Sequence, residues 1–322
     1  SRRGEAQDSM KTREKPLPMT VLAGFLGAGK TTLVNHLLRH PGGRKIMVLV
    51  NDFGELPIDE ELIATREENI LTLANGCACC SMGGDLFAAF SAALDFTPPP
   101  DHLLIEASGV AEPKRIANFA RAEPDLVLNG IVTVVDASNI EDTRSDQRLS
   151  GILNNQILTA HLLLLNKCDL VGTGDIERHK ETLVEINASA PILAISNGVL
   201  PADIFFGVDS PSSDSAPTEE GEHHHSHESD FSRWSFETVS AIDKTELGEL
   251  LETLPSSVLR LKGIFKSSDD GELWTVHKVG SYIDFALLTT YGDVSGRTGF
   301  VAIGLSNSKL REIMDEAFDS LE

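Results

Sequence analysis

The sequence predicts an α/β domain with a mostly parallel sheet, followed by a smaller α+β domain, and three observations carry that expectation. From residue 19 six short, nearly continuous apolar runs, MTVLAGF, KIMVLVND, HLLIEAS, GIVTVVDAS, AHLLLLNKCD and PILAIS, alternate with helix-length segments. Strands covered on both faces read as unbroken apolar runs, which is the signature of a parallel sheet between helices. Between residues 208 and 230 the composition then changes to VDSPSSDSAPTEEGEHHHSHESD, with almost nothing to bury, which reads as a linker or long loop. Beyond it come FSRWSFETVS, a helical DKTELGELLETL, then VLRLKGIFKS, ELWTVHKVG, YIDFALLT, TGFVAIGL and a helical NSKLREIMDEAFDSL. That order of strand, helix, several strands and helix suits a small α+β unit. The expected layout is a flexible tail at 1–18, the α/β domain at 19–207, an acidic His-rich linker at 208–230 and the C-terminal domain at 231–322.

Composition sets the outer limits. The 322 residues are 41% hydrophobic, enough for a sizeable core. There is no run of about 18 uncharged apolar residues, and the opening SRRGEAQDSMKTREKPLP lacks the apolar centre of a secretory signal. A cytoplasmic protein with no membrane partner is expected. Asp plus Glu number 49 against 27 Lys plus Arg, a net charge of −22. Such a surface repels a phosphate backbone, so no nucleic acid is expected among the partners.

The first apolar run leads into GFLGAGKTTL, where Gly24, Gly29, Lys30 and Thr31 satisfy G-x-x-x-x-G-K-[ST], with Gly27 and Ala28 inside the loop and Thr32 opening a helical stretch. Strand, glycine loop and helix form the context in which this pattern binds phosphate. Backbone N–H groups turn inward around phosphate oxygens at the helix start, Lys30 adds a positive charge on the β- and γ-phosphates, and the Thr31 hydroxyl can ligate Mg²⁺.

The third run ends in LLIEASGVAEP, with Glu106 at a strand tip and Gly109 three residues later, where many GTPases carry D-x-x-G. Glu106 is positioned to hold Mg²⁺ through water or to orient the attacking water, and the Gly109 N–H to touch the γ-phosphate. The fifth run ends in Asn166, Lys167 and Asp169, an N-K-x-D pattern. An Asp carboxylate there accepts two hydrogen bonds from guanine, whereas adenine leaves it unpaired. GTP is thereby favoured over ATP.

Three of the four cysteines, Cys77, Cys79 and Cys80, stand within four positions in NGCACCSMGG. Adjacent Cys79 and Cys80 have Cα atoms about 3.8 Å apart, too close for an unstrained disulfide. A Cys77–Cys80 redox pair and a metal site both remain open, and a reducing cytosol favours free thiols or metal. Thiolates at this spacing favour Zn²⁺ or Cu(I), and Co²⁺ accepts the same tetrahedral geometry. No second cysteine pair completes the set, which suits a carrier that releases its ion. In the linker, His223, His224, His225 and His227 stand among acids and form either a weak metal antenna or a solvated loop. His102 and His161 read as edge or core histidines.

Taken in order, GFLGAGKTTL, NDFGE, GCACC, EASG, NKCD, the late RLKGIF and FVAIGLSNSKL resemble the CobW-type metallochaperone GTPases over roughly residues 19 to 322. The resemblance implies a P-loop GTPase domain of the SIMIBI type, a C-terminal α+β domain, and delivery of a transition metal, zinc first and cobalt next, to a client metalloprotein. The second motif, NDFGELPID, carries Asp52 where another acid is more usual, and Ala78 replaces a larger aliphatic residue. In that frame Asp52 and Glu55 join Lys30 and Glu106 as the residues expected to support Mg²⁺, the nucleotide switch and the attacking water. The cysteines lie between them and Glu106, where nucleotide-driven ordering would set their grip on metal. No arginine finger is evident, so slow intrinsic turnover is expected. A metal buffer or sensor with an incidental nucleotide site stands as the alternative.

Overall fold

The structure is a computed structural model that describes residues 16–50, 70–72, 84–208, 230–288 and 298–321. Seven strands, β1 (Leu17–Gly24), β2 (Ile46–Val50), β3 (Ile70–Thr72), β4 (His102–Glu106), β5 (Leu126–Asp136), β6 (Leu162–Asn166) and β7 (Ile192–Ala194), form one sheet. Its order is β3-β2-β4-β1-β5-β6-β7 and every pairing in it is parallel. All six apolar runs are strands, as expected. The three residues of β3 are too few to register as a run, so Glu106 closes the fourth strand rather than the third.

Successive side chains point to opposite faces of a strand, and the two faces are buried separately. Leu22, Val48, Leu104, Val132 and Val134 pack with α1 (Lys30–Arg39), while Met19, Val21, Met47, Leu49, Leu103 and Ile105 pack on the other side. That second side is covered by α2 (Gly84–Leu94) and α3 (Pro113–Ala122). In α1, Leu33 and Leu37 recur at a spacing of four, as do Val34 and Leu38, and all four are buried. Each such side chain contributes about 1.5–3 kcal/mol on burial. The helix ends before His40-Pro41, because a proline pushes the residue ahead of it out of helical backbone. In α3 Pro113 occupies the first turn, where its missing N–H costs nothing. The sheet is completed by α4 (Ile140–Ser145), α5 (Ser150–Leu158), α6 (Thr173–Ile186) and α7 (Ala202–Phe206).

The C-terminal unit is a five-stranded antiparallel sheet. It contains β8 (Phe231–Thr238), β9 (Val258–Lys266), β10 (Leu273–Val279), β11 (Tyr282–Leu287) and β12 (Thr298–Leu305), in the order β11-β10-β9-β12-β8. One face packs on α8 (Lys244–Thr253) and α9 (Leu310–Asp319) through Leu247, Leu251, Phe265, Phe300, Met314 and Phe318. From its other side Leu259, Val279 and Ile303 join the same apolar cluster as Leu33, Leu37, Phe205 and Phe206. The two sheets therefore share a continuous core.

Polar groups fix that docking. Arg260 on β9, 1% exposed, donates through Nε to the Ile204 carbonyl at 2.6 Å, and through its other nitrogens to Phe205 and Asn129 carbonyls. His277 on β10 lies 2.8 Å from the Asn129 carbonyl through Nε2, and the Asn129 amide donates to Thr20, whose hydroxyl meets His102. His161 accepts from the Ile131 N–H and stacks on Tyr282 at 4.4 Å. The expectation that His102 and His161 belong to core or edge packing agrees with this arrangement. Among the described residues no helix is long and apolar enough to cross a membrane.

Candidate nucleotide-binding site

Four strands bring their carboxyl ends to one edge of the sheet: β1 at Gly24, β4 at Glu106, β5 at Asp136 and β6 at Asn166. In open α/β sheets this is the edge at which ligands bind. The loop from β1 to α1 has positive φ at Gly24, Gly27 and Gly29, 145°, 76° and 101°. Gly29 is the N-cap of α1 and lies against the Asn166 amide, where any Cβ would collide with it. Glycine here serves both backbone conformation and close approach.

Lys30 is buried and donates from Nζ to the Gly24 carbonyl at 2.8 Å and the Phe25 carbonyl at 3.3 Å. Burial lowers its pKa, against the opposing effect of the Glu106 carboxylate. Thr31 Oγ1 donates to Glu106 Oε1 at 3.2 Å. Glu106 is itself buried, and burial raises its pKa despite Lys30 and the Thr31 hydrogen bond. A hydroxyl and a carboxylate side by side at a helix start form the hard oxygen donor set that Mg²⁺ prefers, so the residues present fit that ion. Thr32 is exposed on the first turn, and Ala28 is buried.

The guanine-type motif meets the phosphate loop directly. Asn166 Nδ2 donates to the Ala28 carbonyl at 3.0 Å, while its Oδ1 accepts from the Gly198 N–H at 3.0 Å. Lys167 has a left-handed backbone, φ 64°, and its Nζ lies 2.6 Å from Asp136 Oδ2. The other Asp136 oxygen accepts from the N–H of Ser138 at 2.9 Å and its hydroxyl at 2.6 Å. Asp169 is exposed in a single 3-10 turn, Cys168–Leu170, at the same edge. Cys168 donates from Sγ to the Leu165 carbonyl, and burial pushes its thiol pKa up.

After Glu106 the chain is held from two sides. Gly109 is packed so closely that a Cβ would stand 2.7 Å from Leu26 Cγ of the phosphate loop. From α5, the Gln156 amide donates to the carbonyls of Gly109 at 3.0 Å and Ala111 at 3.4 Å. Lys30, Thr31, Glu106, Gly109 and Asn166 are thus gathered around one loop. Asp52, Glu55, Cys77, Cys79, Cys80 and the four linker histidines His223, His224, His225 and His227 lie outside the described residues.

Sequence reasoning did not single out Asp136, Gln156 or Gly198. For Asp136 a signal was present, since it closes the run GIVTVVDAS at the same strand end as the motifs. Gln156 sits within a helix between Asn155 and Ile157, with nothing local to distinguish it.

A parallel sheet whose first strand feeds a Gly-Lys-Thr loop, with Glu106 and Asn166 on neighbouring strand ends, defines a P-loop α/β protein. The family described as CobW/HypB/UreG, nucleotide-binding domain, matches residues 18–194, and the cobalamin synthesis protein cobW C-terminal domain matches residues 231–321. The chain belongs to the CobW family. It is 27% identical to a zinc chaperone CobW of Sinorhizobium, over 95% of this chain and 96% of that one. A zinc chaperone CobW of Pseudomonas aeruginosa is 32% identical, over 82% and 80%. A zinc-regulated GTPase metalloprotein activator 1 of Dictyostelium discoideum is 35% identical, over 58% of this chain and 47% of its own length.

Proposed function

We propose that this protein is a GTP-hydrolysing metallochaperone of the cytoplasm, which binds zinc, with cobalt next in order, through Cys77, Cys79 and Cys80 and hands it to a client metalloprotein. The observation that carries the reading is the Asn166–Ala28 hydrogen bond, which ties the guanine motif to the phosphate loop. Asp169 selects guanine by accepting from its edge, and Lys30 with the loop N–H groups holds the β- and γ-phosphates. Thr31 and Glu106 would hold Mg²⁺, which when bound offsets charge on the phosphates. Glu106, made more basic by burial, orients the attacking water, and Gly109 presents its N–H to the terminal phosphate. Asp52 and Glu55 belong to the switch that follows β2 and lead to the cysteines, so the nucleotide state sets how firmly the thiolates grip metal. The linker histidines collect the ion and pass it on. Relatives named as zinc chaperones and as a zinc-regulated GTPase support the choice of zinc and GTP.

Zinc titration of the purified protein with Mg²⁺ and GTP analogue, with GDP and with no nucleotide tests this reading. Nucleotide coupling of about 1–3 kcal/mol corresponds to about 5- to 150-fold tighter zinc binding in the triphosphate state, abolished in Cys79→Ala. Equal affinity in all three states would rule out the coupling. Lys30→Ala, which should stop metal supply to a client in cells, separates a GTP-driven chaperone from a passive buffer.

A further inference from the structure

Two polar atoms near the Glu106-x-x-Gly109 loop are buried without a hydrogen-bond partner among the described residues: Ser108 Oγ within the loop and Gln156 Oε1 beside it. Ser108 is 8% exposed and Gln156 1% exposed. Buried polar atoms are nearly always paired, and each exception calls for a physical reason. One of these atoms lies in the loop after Glu106 and the other on the side chain that holds that loop. Gln156 Nε2 donates to the carbonyls of Gly109 and Ala111, the Ala111 N–H is turned inward to the Ser108 carbonyl at 3.0 Å, and Gly109 is pressed on Leu26.

Gln156 itself is firmly placed. Its own carbonyl accepts from the Thr133 hydroxyl on β5 at 3.0 Å, and the next turn of the chain is held by the Asn187 amide, which donates to the Ile157 and Ala160 carbonyls. A rigid side-chain amide therefore fixes two carbonyls of a loop that keeps an unused hydroxyl, while the amide keeps an unused acceptor.

We infer that Gln156 is a positioning residue for the γ-phosphate loop. It holds Gly109 by the carbonyl so that the Gly109 N–H faces the terminal phosphate, and the triphosphate state gives the buried Ser108 hydroxyl its partner. The inference rests on the GTP reading of the site and adds to it a residue from α5 that touches neither nucleotide nor metal.

Fluorescent GDP and a non-hydrolysable GTP analogue, titrated into the full-length protein and into Gln156→Met and Ser108→Ala, test it alongside single-turnover GTP hydrolysis. Methionine matches the shape of glutamine without its donors or acceptor, and Ser108→Ala removes an atom with no partner in this arrangement, so it leaves the fold intact. Both variants should keep GDP affinity within about twofold and lose about tenfold in affinity for the GTP analogue, the scale of one buried hydrogen bond. Hydrolysis should slow in parallel. If GDP and GTP analogue affinities fall together in Ser108→Ala, or neither changes and hydrolysis is retained, the inference is overturned. Failure of the parent protein to bind either nucleotide would instead overturn the GTP reading, and this inference with it.

Discussion

Lys167 Nζ lies 2.6 Å from Asp136 Oδ2, joining the end of β6 to the end of β5 across the base side of the site. Because Ser138 holds the other Asp136 oxygen, the carboxylate is fixed and fixes the lysine in turn. Asp136→Ala should weaken guanine-nucleotide binding about fivefold, the equivalent of about 1 kcal/mol for a partly exposed ion pair. Fluorescence titration with GDP measures this, and Asp136→Asn, which keeps the Ser138 contacts, should recover part of it.

Gly29 combines φ 101° with contact against the Asn166 amide. Alanine there strains the backbone and displaces Asn166 from the Ala28 carbonyl. Strain of about 1–3 kcal/mol corresponds to about 5- to 150-fold weaker nucleotide binding. A Gly29→Ala variant with unchanged affinity would contradict the role given to the Asn166 contact.

Glu106 hydrogen-bonds Thr31 and has its pKa raised by burial. Glu106→Gln keeps the shape and removes the base and the charge. GTP turnover should fall by about 10²–10⁴ while GDP binding changes far less, as paired turnover and binding assays on one preparation would reveal.

Arg260 places its guanidinium on the Ile204 and Phe205 carbonyls of α7 and the Asn129 carbonyl of β5, with no carboxylate among the partners described for it. Burial, reinforced by Arg44, lowers its pKa to about 9. Arg260→Ala leaves those carbonyls buried and unpaired, at about 1–3 kcal/mol for each. The expected outcome is a lower urea midpoint, with loss of cooperativity between the two sheets visible as separated transitions.

Three histidines at the docking interface make stability depend on pH. Burial is the main cause for all three, with Lys262 and Arg260 adding to it for His102 and His277, and Arg121 and Arg260 for His161. His161 is lowered to about 3, and His102 and His277 fall well below their ordinary range. With the folded values depressed, the unfolded chain binds more protons below about pH 6.5, so stability is complete above that pH and declines as pH falls toward the folded values. The loss reaches about 1.4 kcal/mol per pH unit for each histidine in that window. Denaturation at pH 7 and pH 5 should show it, and His161→Phe, which preserves stacking on Tyr282, should reduce the slope.

The parallel sheet, the glycine loop before α1 and the turn at Asn166 to Asp169 were legible because each is written in consecutive residues. An apolar run marks a strand buried on both faces, and Gly24 to Thr31 carry their geometry in a single loop. The short β3 escaped notice because three residues carry no period. Asp136 was quoted within its run yet not recognised, since its meaning depends on Lys167, thirty-one positions later in the chain. His102 and His161 read correctly as packing residues, but their partners Thr20, Asn129 and Tyr282 could not be read from local pattern.

The sequence by itself determined the strands of the parallel sheet and the glycine loop and N-K-x-D run at their ends, because local backbone preference and side-chain type act over a few residues. Only the tertiary structure decided that Gln156 on α5 holds the Gly109 loop, that Gly198 completes the hold on Asn166, and that the second sheet docks through Arg260 and His277. Those contacts join residues 32 to 148 positions apart. Their energies depend on burial and hydrogen-bond geometry that exist only once the strands are stacked in order, and no spacing along the chain encodes them.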